Sequence, residues 1–287
     1  MLRGLYTAAS GMISQQRRHD TVTNNISNIN TPGYKQSNAV TRSFPEVMLS
    51  LTGAGKENFT QIGKLTNGVF AEESLSIHLQ GDLTQTNHSS DFALVSNIEV
   101  NGLAFDASGK NVSDDGEITF QPQAFFTIQD QNGEVRYTRS GKFTLTEEGF
   151  LMGSDGTHVL GTNGQPIQMP AGVGLDSLIL TDNQRFIDAN GQDVGVQLLI
   201  SRIDNPNLLV REGNGSFRFS GDEREVVAIA PNERIEVRQG YVERSNVDAA
   251  QAAVDLMSAL RAYEANQKVI QFYDQSLSKA VNDVGRI

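Results

Sequence analysis

The chain has 287 residues, 23 basic and 34 acidic, a formal net charge of −11, and neither cysteine nor tryptophan. Such an acidic balance argues against a nucleic-acid partner, which calls for a cationic face to displace phosphate counterions. Lack of cysteine excludes disulfides, thiolate metal sites and cysteine nucleophiles, and no run approaches the 18 or so apolar residues of a membrane span.

In chain order, Leu2, Leu5, Ala9, Met12, Val22, Ile26 and Ile29 fit one helical face, interrupted by Gln15, Gln16 and His19. Arg3, Gly4 and Gly11 break the apolar start, so it lacks the continuous apolar core of a secretory signal. The helix should end before Thr31-Pro32-Gly33, because proline disfavours helix at the residue before it and glycine permits a turn. Residues 1–34 are therefore expected to be an N-terminal assembly helix. Residues 35–80 read as an extended connector, with loop composition at Ser50–Asn58.

Residues 81–239 read as a β domain. Glu117–Phe120, Ala124–Ile128, Val135–Thr138 and Lys142–Leu145 are short and rich in β-branched and aromatic residues. Asn132-Gly133, Ser140-Gly141, Asp155-Gly156, Asn163-Gly164 and Asn190-Gly191 punctuate the region as hairpin turns. Of the 27 glycines, 22 lie between residues 41 and 239, which leaves the chain ends free for helix.

Residues 240–287 read as a C-terminal assembly helix, since Tyr241 to Val284 contains neither Gly nor Pro. Ala249, Ala253, Leu256, Leu260, Tyr263, Gln267, Ile270, Asp274, Leu277, Val281 and Val284 follow at steps of four and three, a heptad seam. Ser245-Asn246-Val247-Asp248 signals the start, and a helix from Asn246 to Val284 would be about 58 Å long. The expected fold class is α+β: long terminal helices forming a coiled-coil-like pair, with a central, mainly antiparallel β domain.

Charge follows the same division. Residues 1–35 carry +3 and residues 241–287 carry −1, so the middle holds about −13 of the total. An acidic β domain joined to nearly neutral helices stays soluble and mutually repelling while the helices associate.

Motifs for chemistry fail on inspection. Gly53-Ala54-Gly55-Lys56 lacks both the first glycine and the Ser or Thr of a phosphate-binding loop. Gly213-Asn214-Gly215 lacks the third glycine of a dinucleotide fingerprint. His19, His78, His88 and His158 are scattered without metal-ligand spacing, and Asp114-Asp115-Gly116 lacks the ligand pattern of a calcium loop. Glu72-Glu73 and Glu147-Glu148 are carboxylate pairs whose separation only a fold can set. No catalytic residue, cofactor or metal is expected.

Leu5-Tyr6-Thr7-Ala8-Ala9-Ser10-Gly11-Met12, Asn24-Asn25-Ile26-Ser27-Asn28 and Asn30-Thr31-Pro32-Gly33-Tyr34-Lys35 resemble the N-terminal signature of bacterial flagellar axial proteins, closest to the basal-body rod group. Gly240-Tyr241-Val242-Glu243-Arg244-Ser245-Asn246-Val247-Asp248 and Arg261-Ala262-Tyr263-Glu264-Ala265-Asn266 resemble the matching C-terminal signature. Gln80-Gly81-Asp82-Leu83, Asp91-Phe92-Ala93-Leu94 and Tyr137-Thr138-Arg139-Ser140-Gly141-Lys142-Phe143 resemble the rod-protein β domain. Two departures stand out: about thirty extra residues from Val95 to Gln123, and Val242 where the family commonly has Leu. In detail the chain looks most like the distal-rod type of Gram-positive bacteria.

The resemblance implies a structural subunit of the flagellar rod, the drive shaft between motor and hook, required for motility and without enzymatic activity. It implies export through the flagellar type III apparatus to the basal body outside the cytoplasmic membrane. The expected partners are further copies of the chain and neighbouring rod and hook proteins. Assembly is expected to use Leu5, Met12, Ile26, Asn246, Leu256, Leu260, Tyr263, Ile270 and Leu277. Asn28, Thr31, Gly33 and Tyr34 would form the turn leaving the first helix. A hook or hook-junction protein and an envelope glycan-active enzyme are the alternatives.

Overall fold

The computed structural model describes residues 2–51, 60–96, 98, 100, 102–106, 109–170, 172–229 and 235–284. The Gly53–Lys56 motif and most of the Ser50–Asn58 loop lie outside them. The chain divides into two compact units: Met1–Ser27, Ser37–Leu75 and Asp248–Ile287 form one, and Asn28–Gln36 with Ser76–Val247 form the other.

The first unit holds both long helices, α1 (Leu2–Ser27) and α2 (Ala249–Lys279). Asp248 caps α2: its carboxylate accepts from the backbone N–H of Ala250 at 2.8 Å and Gln251 at 3.1 Å, satisfying donors left free at a helix start. The helices run side by side and antiparallel, with Gly4 against Tyr273, Gly11 against Asn266, and Arg18 paired with Asp255 at 3.0 Å. Thr41–Ser43 pairs with Val69–Ala71 and Val47–Leu51 with Thr60–Leu65, all antiparallel. Ser10 Oγ accepts from Val69 N at 3.3 Å.

The expected fold class needs correction at the helices, which do not form the coiled-coil-like pair read from the apolar seam. The shielded line on α2 runs through Ala252, Leu256, Ala259, Tyr263, Asn266, Ile270, Tyr273 and Leu277. Only Leu256, Tyr263, Ile270 and Leu277 of the expected seam lie on it, while Ala253, Leu260, Gln267, Asp274 and Val281 are exposed. The reason is steric. α1 offers Gly4, Ala8, Gly11 and Ser14 at its packed face, so the backbones approach closely over small side chains. Ala252 and Ala259 are the most deeply buried residues on that line. Strand is also not confined to the centre of the chain, since the first unit carries its own antiparallel pairs.

The second unit is built on antiparallel strands. Its main sheet runs in the order Phe143–Leu145, Leu151–Gly153, His158–Val159, Gln123–Gln129, Val135–Thr138, Ser216–Phe219, Leu209–Gly213. Ile200–Ile203 also pairs with Gln123–Gln129 and carries Val226–Ala228 beyond it. Gln123–Gln129 is buried almost throughout, and alternation of side chains across it feeds two cores. Phe126 enters a large cluster with Phe92, Phe143, Leu151, Phe186 and Leu198, and Phe125 a smaller one with Tyr137, Ile203, Leu209 and Phe217. Phe126 meets Phe143 edge to face at 5.2 Å, a favoured geometry of aromatic pairs. Phe92–Ser96 pairs with Ile235–Gln239 and Leu83–Gln85 with Tyr241–Glu243, so the last strands return to the first.

Candidate functional site

The second unit encloses a group that hydropathy gives no reason to expect inside. Lys35, Arg139 and Glu243 are each 1% exposed or less. Glu243 accepts from Lys35 Nζ and from Arg139 Nε, both at 2.6 Å, and from the Gly81 backbone N–H at 2.9 Å. Arg139 also donates to the carbonyls of Ala124 and Leu94 and to Ser96 Oγ, and Lys35 donates to the Leu79 carbonyl at 2.6 Å. Both cations thus spend donors on backbone oxygens as well as on the carboxylate, which is what permits charge in a dry interior.

The turn after α1 delivers Lys35 to this clasp. Thr31 N donates to Asn28 O and Tyr34 N to Thr31 O, winding the chain back through Gly33. Gly33 has φ +69°, and a Cβ there would lie 2.5 Å from Ser140 N and 2.6 Å from the Arg139 carbonyl carbon. Only glycine meets both conditions. Gly33 N donates to Glu243 O at 2.9 Å, so the turn is tied to the last strand by its backbone as well.

Electrostatics follow from burial. Loss of water pulls the Lys35 ammonium down to about 8, with Glu243 opposing that pull and Arg139 adding to it. Burial alone would raise Glu243, but Arg139 and then Lys35 outweigh it and hold the carboxyl below the usual carboxylate range. Beside the clasp, His78 is buried against Phe125 and Phe217 with neither ring nitrogen hydrogen-bonded among the described residues. Burial, reinforced by Lys35, Arg211 and Arg139, brings its imidazole down to about 3. The clasp has no solvent-facing acid or base, so it can hold segments together but offers nothing to a substrate.

Of the residues expected in the turn, Gly33 and Tyr34 are buried, and Asn28 and Thr31 are half-buried. Asn246, expected at an assembly surface, bridges backbone within the chain. Its amide nitrogen donates to the carbonyls of Ile77 and Leu79, and its oxygen accepts from Gln36 N at 2.7 Å. In the first unit Leu5, Met12, Ile26, Leu256, Tyr263, Ile270 and Leu277 are half-buried, and Leu260 is exposed. Leu260 stands with Val254 and Met257 in one exposed apolar group on α2, with Val269 and Phe272 further along. Sequence reasoning missed the clasp itself. The available signal was a charged residue within each of three separate motifs, Lys35, Arg139 and Glu243.

Three family models match the chain: Flagella basal body rod protein over residues 5–35, Flagellar hook protein FlgE/F/G D1 domain over 121–195, and Flagellar basal body rod FlgEFG protein C-terminal over 238–283. The Flagellar hook-basal body complex protein FlhO of Bacillus subtilis is 35% identical over 100% of both chains. The Flagellar basal-body rod protein FlgG of Borreliella burgdorferi is 30% identical over 98% of each. The FlgG of Bacillus subtilis is 30% identical over 98% of this chain and 99% of its own. The chain belongs to the flagellar basal-body rod protein family. As a rod-family protein it is a structural, axial subunit of the flagellar basal body. Each of the three matched stretches contributes one member of the clasp: Lys35 ends the first, Arg139 lies in the second and Glu243 in the third.

Proposed function

We propose that the chain polymerises with further copies of itself and with neighbouring rod and hook proteins, and that α2 supplies the contact surface. The observation that carries this is the exposed apolar run Val254, Met257, Leu260, Val269 and Phe272, from 41% to 66% exposed on a helix whose opposite line is already packed. A helix apolar on a second stripe has a second neighbour to meet. Tyr6 and Ile13 on α1 are similarly exposed and extend the apolar surface available to partners. Among the described residues no helix is long and apolar enough to cross a membrane. Together with the cysteine-free composition, this suits passage through the flagellar type III export apparatus.

The proposed role is mechanical, with no substrate turnover: Lys35, Arg139 and Glu243 are sealed inside the clasp with their bonds satisfied. A distal position in the rod is the finer form of this reading, supported by full-length similarity to FlgG proteins. The test replaces Met257 and Leu260 with Asp. Circular dichroism should match that of the parent chain while incorporation into basal bodies and motility are lost. Retained motility would refute α2 as the contact surface, and hydrolysis of purified peptidoglycan would refute the non-enzymatic role.

A further inference from the structure

The stretch from Val95 to Gln123 that departs from the family pattern carries a hairpin, Lys110–Val112 paired with Ile118–Phe120. Its turn is closed by Gly116 N donating to Ser113 O at 2.8 Å, with Gly116 at φ +82°. Val112 and Ile118 are direct cross-strand partners, so their side chains share a face. They are 63% and 51% exposed and belong to neither core. Asp114, Asp115 and Glu117 crown the same turn, exposed and without an ion pair among the described residues. On this unit some exposed carboxylates are neutralised internally, Glu212 by Arg136 and Arg218, Asp193 by Arg185 and Glu236 by Arg238, while Glu147, Glu148 and Asp182, like the hairpin's three, have no ion pair among the described residues. The hairpin is therefore an apolar tip with an unanswered negative rim.

A matching recess exists on the same unit. An open groove of about 750 Å³ is floored by Phe143, Val242 and Pro32 and edged by Lys142, Arg244 and His88. Lys142 and Arg244 are exposed and make no ion pair among the described residues. Asp91 is the one carboxylate in the lining, and it is buried. The groove has the apolar floor and basic rim that the hairpin lacks, and it shares no residue with the hairpin.

We infer that the 110–120 hairpin of one copy seats in the Lys142–Arg244 groove of the next. A knob and a separate hole on one chain make a heterologous contact, which repeats head to tail and builds an open filament unless the rotation closes a ring. Complementary charge fixes the register of such a contact. The inference rests on the proposed polymerisation and names one contact within it.

Because the chain has no cysteine, single cysteines report the contact without background. Val112→Cys and Thr144→Cys full-length variants, purified separately, mixed and oxidised with diamide, should give a dimer containing one of each. That species should exceed either homodimer about fivefold, and the double variant should give a ladder of multimers. Asp114→Lys with Asp115→Lys should cut the mixed dimer about tenfold, and Lys142→Glu with Arg244→Glu in the partner should restore it. Equal yields of all dimers, or no effect of the charge swaps, overturns the contact. If the chain is found in isolated basal bodies but the mixed dimer does not form, only the hairpin contact fails. If it neither self-associates nor appears in basal bodies, the polymerisation fails with it.

Discussion

Replacing Glu243 with Gln keeps the shape of the clasp and removes its only negative charge. The amide oxygen can still accept from the Gly81 N–H and Lys35, which share Oε1, but Arg139 Nε then faces an NH2 donor in place of Oε2, and both cations lose the opposing charge they met at 2.6 Å. Charge-assisted bonds are worth about 1.5–3 kcal/mol each. The neutral amide no longer incurs the dehydration of a carboxylate, which offsets part of that loss. A net destabilisation of about 4 kcal/mol is expected, within the range for breaking a buried pair. For a unit of this size that is a fall in Tm of roughly 8–16 °C. The measurement is a thermal and urea melt of the full chain by far-ultraviolet circular dichroism, with tyrosine fluorescence as a second probe. Lys35→Met in the same background removes one orphaned cation and should recover part of the loss, so the two substitutions should be non-additive. A cost below about 1 kcal/mol, or strict additivity, would refute the view that these charges hold the unit closed.

Two further outcomes test the surroundings of the clasp. Gly33→Ala places a Cβ against Ser140 N and the Arg139 carbonyl carbon at a left-handed backbone position, and should cost about 2 kcal/mol or more in urea melts; an unchanged midpoint contradicts the tight approach. His78→Phe removes a buried imidazole that sits near 3 when folded and near 6.5 when unfolded, so the unfolded chain binds the extra proton as pH falls. Stability attributable to this group should drop by about 3 kcal/mol between pH 7 and pH 4 in the parent and not in the variant, and parallel acid-unfolding curves would rule that out.

Elements with strong local signals were legible. Absence of Gly and Pro after Tyr241 marked α2, and Val135–Thr138 is a strand with the bounds its composition suggests. Asn132-Gly133 and Asp155-Gly156 supply the positive φ their turns require. What hydropathy did not supply is which face of α2 meets α1. Leu260 outranks Ala259 on any apolar scale, yet Ala259 is fully buried and Leu260 is 46% exposed, because Ala259 lies on the line that packs against α1 and Leu260 does not. The clasp was hidden for the converse reason. Lys35, Arg139 and Glu243 are types that belong in water, and only pairing across more than a hundred residues makes their burial tolerable.

The bond from Gly33 to Glu243 brings the entry and exit of the second unit to one point, as the neck of a bag brings its two edges together. A pull applied through the segments before Gly33 and after Glu243 is borne at the neck, by the Gly33–Glu243 and Tyr34–Asn246 backbone bonds, the Asn246 bond to Gln36 and the ion pairs behind them. The sheets between hang outside the line of tension. The chain within them, the Lys110–Phe120 hairpin included, does not lengthen the path along which force travels.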